Sequence, residues 1–145
     1  MNLPLNQQWF VLIEGQLYLS VGRGHITAEM IQQADQDFLN QLEASQAPLV
    51  HVIHDVRRVL SIPALSDMQK NKAPRHPRMG YTLTIGAFQN PIMRFIISLS
   101  LGMTQVRYRD VDSLAAACTY LVEKDPSLPP LNTWNIPYEV DVVVS

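Results

Sequence analysis

Two hydrophobic rhythms alternate along the chain, and each change of rhythm marks an element. Residues 9–15 (WFVLIEG) and 16–22 (QLYLSVG) are dense in aromatic and branched side chains, and Glu14-Gly15 suits a tight hairpin turn. Gly22 and Gly24 then read as breaks that end the second strand. From residue 28 the spacing lengthens. Met30, Ile31, Ala34, Phe38 and Leu42 recur every three or four positions, which predicts an amphipathic helix over 28–45. Thr27 suits its N-cap, and Glu29 puts a negative charge near the positive end of the helix dipole. After Pro48 comes LVHVIHDV, short and almost wholly apolar, the pattern of a buried parallel strand.

The second half repeats the alternation. Pro63 opens a short helix through about Lys70, and the loop NKAPRHPRMG leads to a strand, YTLTIGAF, at 81–88. Asn90-Pro91 is a helix start with Asn at the cap and Pro in the first turn, and Gly102 is its stop. QVRYRD at 105–110 alternates as a strand, and Asp112 suits the cap of a last helix over 113–124. The order ββαβαβαβα predicts an α/β sandwich: a mostly parallel central sheet, right-handed crossovers, and helices packed on it. Residues 1–125 make up this domain. Residues 126–145 form a Pro-rich extension expected to pack on the domain or on a partner subunit. Its stretch PSLPPLNTWNIP holds four prolines and predicts irregular structure. It ends in YEVDVVV, where Tyr138, Val140, Val142 and Val144 alternate with Glu139 and Asp141. Such a segment is a hazard if left loose, so it is expected to pair with a sheet edge, its own or a partner's.

With 145 residues, 47% apolar and 17% charged, the chain fits one globular domain. A net charge of −2 argues against general nucleic-acid binding. One cysteine, Cys118, excludes an internal disulfide framework and a cysteine-rich zinc site. MNLPLNQQWF lacks the basic segment and apolar core of a signal peptide, and no apolar run approaches the ~18 residues of a membrane span. A cytoplasmic location is expected.

No residue set demands a particular chemistry. Along a strand His51 and Asp55 share one face while His54 takes the other, so the three cannot converge on a metal that needs three or four ligands. There is no GxSxG, and Cys118 falls on a core-like helix face with Leu114 and Leu121. GRGHIT at 22–27 holds GxG without the third glycine or acidic partner of a dinucleotide site. No catalytic residue, metal or cofactor is therefore expected. His54 and Asp55, at the carboxyl end of a parallel strand, stand where open α/β sheets place their ligands.

Two surface features point to partners. Arg57, Arg58, Lys70, Lys72, Arg75 and Arg78 are six of the eleven basic residues, opposed between 57 and 78 only by Asp67. That stretch carries about +5, placed near one end of the sheet, where clustered arginines would recognise phosphate or carboxylate. The helix PIMRFIISLSLGM is apolar around nearly all its circumference, with Arg94 and Ser98 as a narrow polar stripe. It needs cover on a second side, so Ile92, Phe95, Ile96 and Leu99 are the expected interface.

The element order, with GHIT entering the first helix, LVHVIHDVRRV, NPIMRF and QVRYRDVDSLAAACTYL, resembles the STAS domain over roughly 9–125. It resembles most the SpoIIAA-like, STAS/SEC14-like branch, the fold of bacterial anti-sigma-factor antagonists. The resemblance implies a non-enzymatic regulatory or protein-interaction module. In the antagonists the strand matching 49–55 ends in an aspartate, followed two places later by the phosphorylated serine. Here Asp55 is followed by Val56 and Arg57, so the phosphoacceptor is not expected. A homodimer is expected, with an acidic protein partner or a small anionic ligand at the basic face. The SEC14-like side implies the alternative, a carrier or sensor of a small amphiphilic or lipid-like anion.

Overall fold

Among the described residues, the hairpin and the later strands of the sequence form one five-stranded sheet. The structure, a computed structural model, describes residues 7–64, 66, 76–87 and 107–137. The strands are β1 (Gln7–Ile13), β2 (Leu17–His25), β3 (Val50–Ser61), β4 (Met79–Ile85) and β5 (Arg107–Val111). They lie side by side in chain order, with β1 antiparallel to β2 and every later pair parallel. Helix α1 spans Ala28–Ala44 and α2 spans Leu114–Lys124. The expected helices over 63–70 and 90–102 fall largely or wholly outside the described residues.

Side-chain alternation sends the strands' apolar residues to two cores. Leu17, Leu19, Val21, Ile53, Leu83 and Ile85 pack with Leu114, Ala117, Cys118 and Leu121 of α2 on one face. Tyr18, Val50 and Val52 meet Phe38 and Leu42 of α1 on the other. Each helix presents one residue every three or four positions, as its periodicity requires. The Tyr18 hydroxyl accepts from the Gly15 amide and donates to Gln41, tying the hairpin turn to α1.

The ends of β2 and β3 and the cap of α2 differ from what the sequence predicts. β2 does not stop at Gly22 but runs on through His25, because β3 itself continues to Ser61 and offers it a partner. A neighbouring strand overrode two residues of poor strand propensity. The cap of α2 is Ser113 rather than Asp112; its hydroxyl accepts from the Ala116 amide at 3.0 Å. Thr27 caps α1 as expected, accepting from Met30 at 3.2 Å.

Residues 126–137 of the proline-rich tail pack against the domain. The tail makes one 3-10 turn at Leu131–Thr133 and buries Trp134 in the α2-side core, with Leu128 and Ile136 against the same cluster. The Trp134 indole donates to the Pro129 carbonyl at 2.9 Å, and the Asn135 amide donates to the Leu12 carbonyl at 2.9 Å. One aromatic anchor thus seats a segment that its four prolines keep from becoming helix or strand. Trp134→Ala should cost roughly 3 kcal/mol, the usual loss for a buried large aromatic. Urea unfolding of the full chain would check it, and a loss below about 1 kcal/mol would mean that the tail is not anchored there.

Candidate functional site

The two ends of the parallel strands differ in chemistry. At the amino end, His51 is fully buried on the α2 side of β3. Its Nδ1 accepts from the Tyr81 amide at 2.9 Å, so Nε2 carries the proton and donates to Asp125 Oδ2 at 2.7 Å. The ring is therefore neutral and held as one tautomer. A bulge makes this possible. Between Val50↔Met79 and Val52↔Thr82, β4 takes one more step than β3, which turns the Tyr81 amide to the imidazole. The extra step includes Gly80, where an added Cβ would overlap the His51 ring.

Burial lowers the His51 pKa from the usual histidine value, the bond and charge of Asp125 pull it back only in part, and the Arg107 charge lowers it further. For Asp125, burial alone would raise the pKa. Bonds from Ser127 and His51 outweigh that and hold it below the ordinary carboxylate value. Asp125 also ends α2, its amide donating to the Leu121 carbonyl at 2.9 Å. Both nitrogens of His51 are thus committed to structure, and the ring offers nothing to a metal or substrate.

At the carboxyl end, Asp55 is buried and Arg57 returns onto it. Arg57 Nε lies 3.0 Å from Oδ1 and Nη2 lies 2.9 Å from Oδ2, while the Arg57 amide donates to Oδ1 at 3.2 Å. Here β3 carries its own bulge, taking three steps from Asp55 to Arg58 where β2 takes two from Val21 to Arg23. The arginine stem crosses Gly86 at the end of β4, where an added Cβ would strike the Arg57 Cγ and the backbone has φ 81°. Only glycine meets both conditions comfortably. On the other face of the sheet, Thr84 donates to buried Asp110 at 2.5 Å and so accepts from the Tyr108 hydroxyl at 2.7 Å, while the Ala87 amide donates to the same Asp110 oxygen at 3.0 Å.

The strand ends beyond that polar layer carry the surface. Arg23 pairs across from Arg58, and the His25 ring meets the Ser61 hydroxyl at 2.7 Å. Leu60, an extra residue in a second bulge of β3, is 71% exposed. Half-buried His54 lies on the α1 side, its ring 6.3 Å from that of Trp9 at an interplanar angle of 61°. Burial pushes its pKa down to about 4.

No family model matches this sequence, and no curated protein matches it. Among solved structures it is similar to an uncharacterised DUF3478-family protein from Shewanella loihica PV-4, whose 2.25 Å crystal structure is described as having a SpoIIAA-like fold. The TM-score is 0.56 at 15% identity, and the match covers 83% of this chain and 98% of that one. The fold is SpoIIAA-like. At that identity the likeness concerns architecture, and the chemistry of the site has to be argued from this chain's residues.

In this SpoIIAA-like frame the six basic residues do not share one end of the sheet. Arg57 and Arg58 stand at the carboxyl end. Arg78 stands at the amino end, its carbonyl accepting from Val50 at 2.8 Å and its guanidinium donating to the Ser45 carbonyl. The parallel strands separate the two groups by about 20 Å at ~3.3 Å per residue. Lys70, Lys72 and Arg75, with Ile92, Phe95, Ile96 and Leu99, lie outside the described residues. Arg23 escaped the sequence reading because a break was expected at Gly22; only the longer β2–β3 pairing brings it beside Arg58. Among the described residues no helix is long and apolar enough to cross a membrane.

Two measurements test this geometry. Arg57→Ala leaves the Asp55 carboxylate buried without its main partner and should cost about 3 kcal/mol in urea unfolding. Removing both side chains should cost less than the two single losses combined, and strict additivity would show that the pair is not coupled. The second test is pH. Histidines with lowered pKa values bind fewer protons folded than unfolded, so their contribution is complete above about pH 6.5 and is lost as pH falls towards about 4. His54→Gln should flatten stability across that window by on the order of 2 kcal/mol, and an unchanged slope between about pH 7 and pH 4.5 would remove His54 from this role.

Proposed function

We propose that this chain is a non-enzymatic regulatory module that binds a protein partner at the carboxyl end of its sheet. The observation that carries the reading is the inward return of Arg57 onto Asp55. In the antagonists that the sequence resembles, the position two after this aspartate presents a phosphorylatable serine; here it holds a guanidinium that neutralises the aspartate in place. A hydroxyl that would take and release charge is replaced by a permanent internal ion pair. The face around it is a binding surface held in one state.

What remains outward there has the composition of an interface. Arg23 and Arg58 are set across from each other on adjacent strands, and Leu60 projects beyond them. An apolar projection flanked by arginines suits a partner with an apolar contact and a carboxylate or phosphate rim, the arginines orienting it and speeding encounter. The same pairing would hold an amphiphile with an anionic head, the second reading.

Native mass spectrometry of the gently purified full chain separates them. The protein mass without an adduct is expected. A molecule released on denaturation would replace this reading by the carrier, and its mass would begin to identify the cargo. Capture on the immobilised full chain should then recover a protein whose yield drops at least about tenfold for Arg23→Gln with Arg58→Gln. Equal recovery by wild type and variant would place the binding face elsewhere.

A further inference from the structure

Where β5 meets the end of α2, the molecule carries a second basic surface, built differently from the carboxyl end. Arg107 and Arg109 are exposed, two residues apart on β5, and so project from one face of the sheet. Their register partners on β4 are Tyr81 and Leu83, both part of the α2-side core, so that face is the α2 side. Arg107 Cζ lies 5.7 Å from the centre of the Tyr81 ring and Arg109 Cζ lies 5.2 Å from that of Tyr120. Exposed Lys124, in the last turn of α2, brings Nζ to 5.5 Å from the same Tyr120 ring. The two tyrosine rings meet edge to face at 5.8 Å. Among the described residues, no carboxylate lies within ion-pair distance of any of the three cations, those of Asp112 and Glu123 included.

Three like charges held close together repel one another. Arg109 and Lys124 share one ring, so their cationic centres lie within about 11 Å of each other. The position of Lys124 has a structural reason, since a cation at a helix carboxyl end meets the negative end of the dipole. The two arginines have no such reason: Arg107 reaches only as far as the Met79 carbonyl, at 3.4 Å. The rings steady both guanidinium groups, so less freedom is lost when an anion arrives. An anion would also relieve the repulsion that the cluster carries when bare.

We propose that this face binds an acidic segment of a partner protein, with carboxylates at alternate positions meeting Arg107 and Arg109 and a further acid meeting Lys124. The spacing carries the choice. Two residues along β5 set the arginines about 6.6 Å apart, and two residues of an extended peptide set its acids the same distance apart. Each guanidinium then takes one carboxylate through its fork of donors. Nucleic acid fits less well for two reasons. The Tyr81 and Tyr120 rings already carry cations, so they offer bases no free platform to stack on. Three cations on a chain of net charge −2 also fall short of the six to ten phosphate contacts, roughly, of a strong binder. The surface shares no residue with the Arg23–Arg58 face and does not depend on it.

The test is a nuclear magnetic resonance titration of the full chain at low salt with a synthetic peptide of alternating glutamate and serine. Backbone and side-chain signals of Arg107, Arg109 and Lys124 should shift, with a dissociation constant of roughly 1 mM or below, the range expected of a few exposed charge pairs. Arg107→Gln with Arg109→Gln should weaken binding at least about fivefold, with circular dichroism confirming the fold. Lys124→Gln, on a different element, gives a second reading and should weaken it about twofold. The same peptide with lysine in place of glutamate should leave the three signals where they are. Shifts confined to Arg23 and Arg58, no shifts at all, or folded variants that bind as the wild type does would each overturn the proposal. So would a single-stranded thymidine oligonucleotide that binds these residues more tightly than the peptide, which would make the surface one for nucleic acid.

Discussion

The neutral His51 ring is the constraint on which the rest of the α2-side arrangement depends. It has one proton for two neighbours, and it satisfies both only by accepting at Nδ1 and donating at Nε2. Three features of the chain serve that requirement. β4 bulges so that the Tyr81 amide faces the ring, residue 80 has no side chain where the ring lies, and α2 ends at the residue that supplies the carboxylate. Asp125 then accepts from both the amide and the hydroxyl of Ser127, which starts the tail on its path to Trp134. A buried polar group left without partners costs more than a good hydrogen bond returns, so these features stand or fall together.

The carboxyl end follows the opposite logic. There the buried charge, Asp55, is met by a side chain two residues along the same strand rather than by a distant element, and the surface beyond it is left to Arg23, Arg58 and Leu60. A short-range ion pair fixes the floor of the face, packed over Gly86 at the end of β4.

Periodicity made the scaffold legible. The apolar repeat of α1, the dense apolar and aromatic runs of β1 and β2 and the unbroken apolar run of β3 each follow from which side of the sheet is covered, and local pattern records that directly. Element ends were harder. Gly22 and Gly24 read as breakers until β3 proved long enough to pair with them. The site was legible only in part. That His51 and Asp55 share a face, with His54 opposite, follows from strand alternation. The bond from His51 to Asp125 joins residues 74 apart, and no local pattern announces it. The positions of Gly80 and Gly86 under particular side chains likewise belong to tertiary contact, which a glycine in a sequence does not reveal. Nor could the run of basic residues between 57 and 78 show that Arg57 and Arg78 belong to opposite ends.

The agreement between strand order in space and strand order along the chain carries a consequence for assembly. Each strand docks beside the one made just before it, so a growing chain emerging from the ribosome can add strands without waiting for distant partners. The closing step is different. His51 is synthesised early and remains without its carboxylate until α2 has formed. During that interval β3 carries an imidazole that water must serve in place of Asp125.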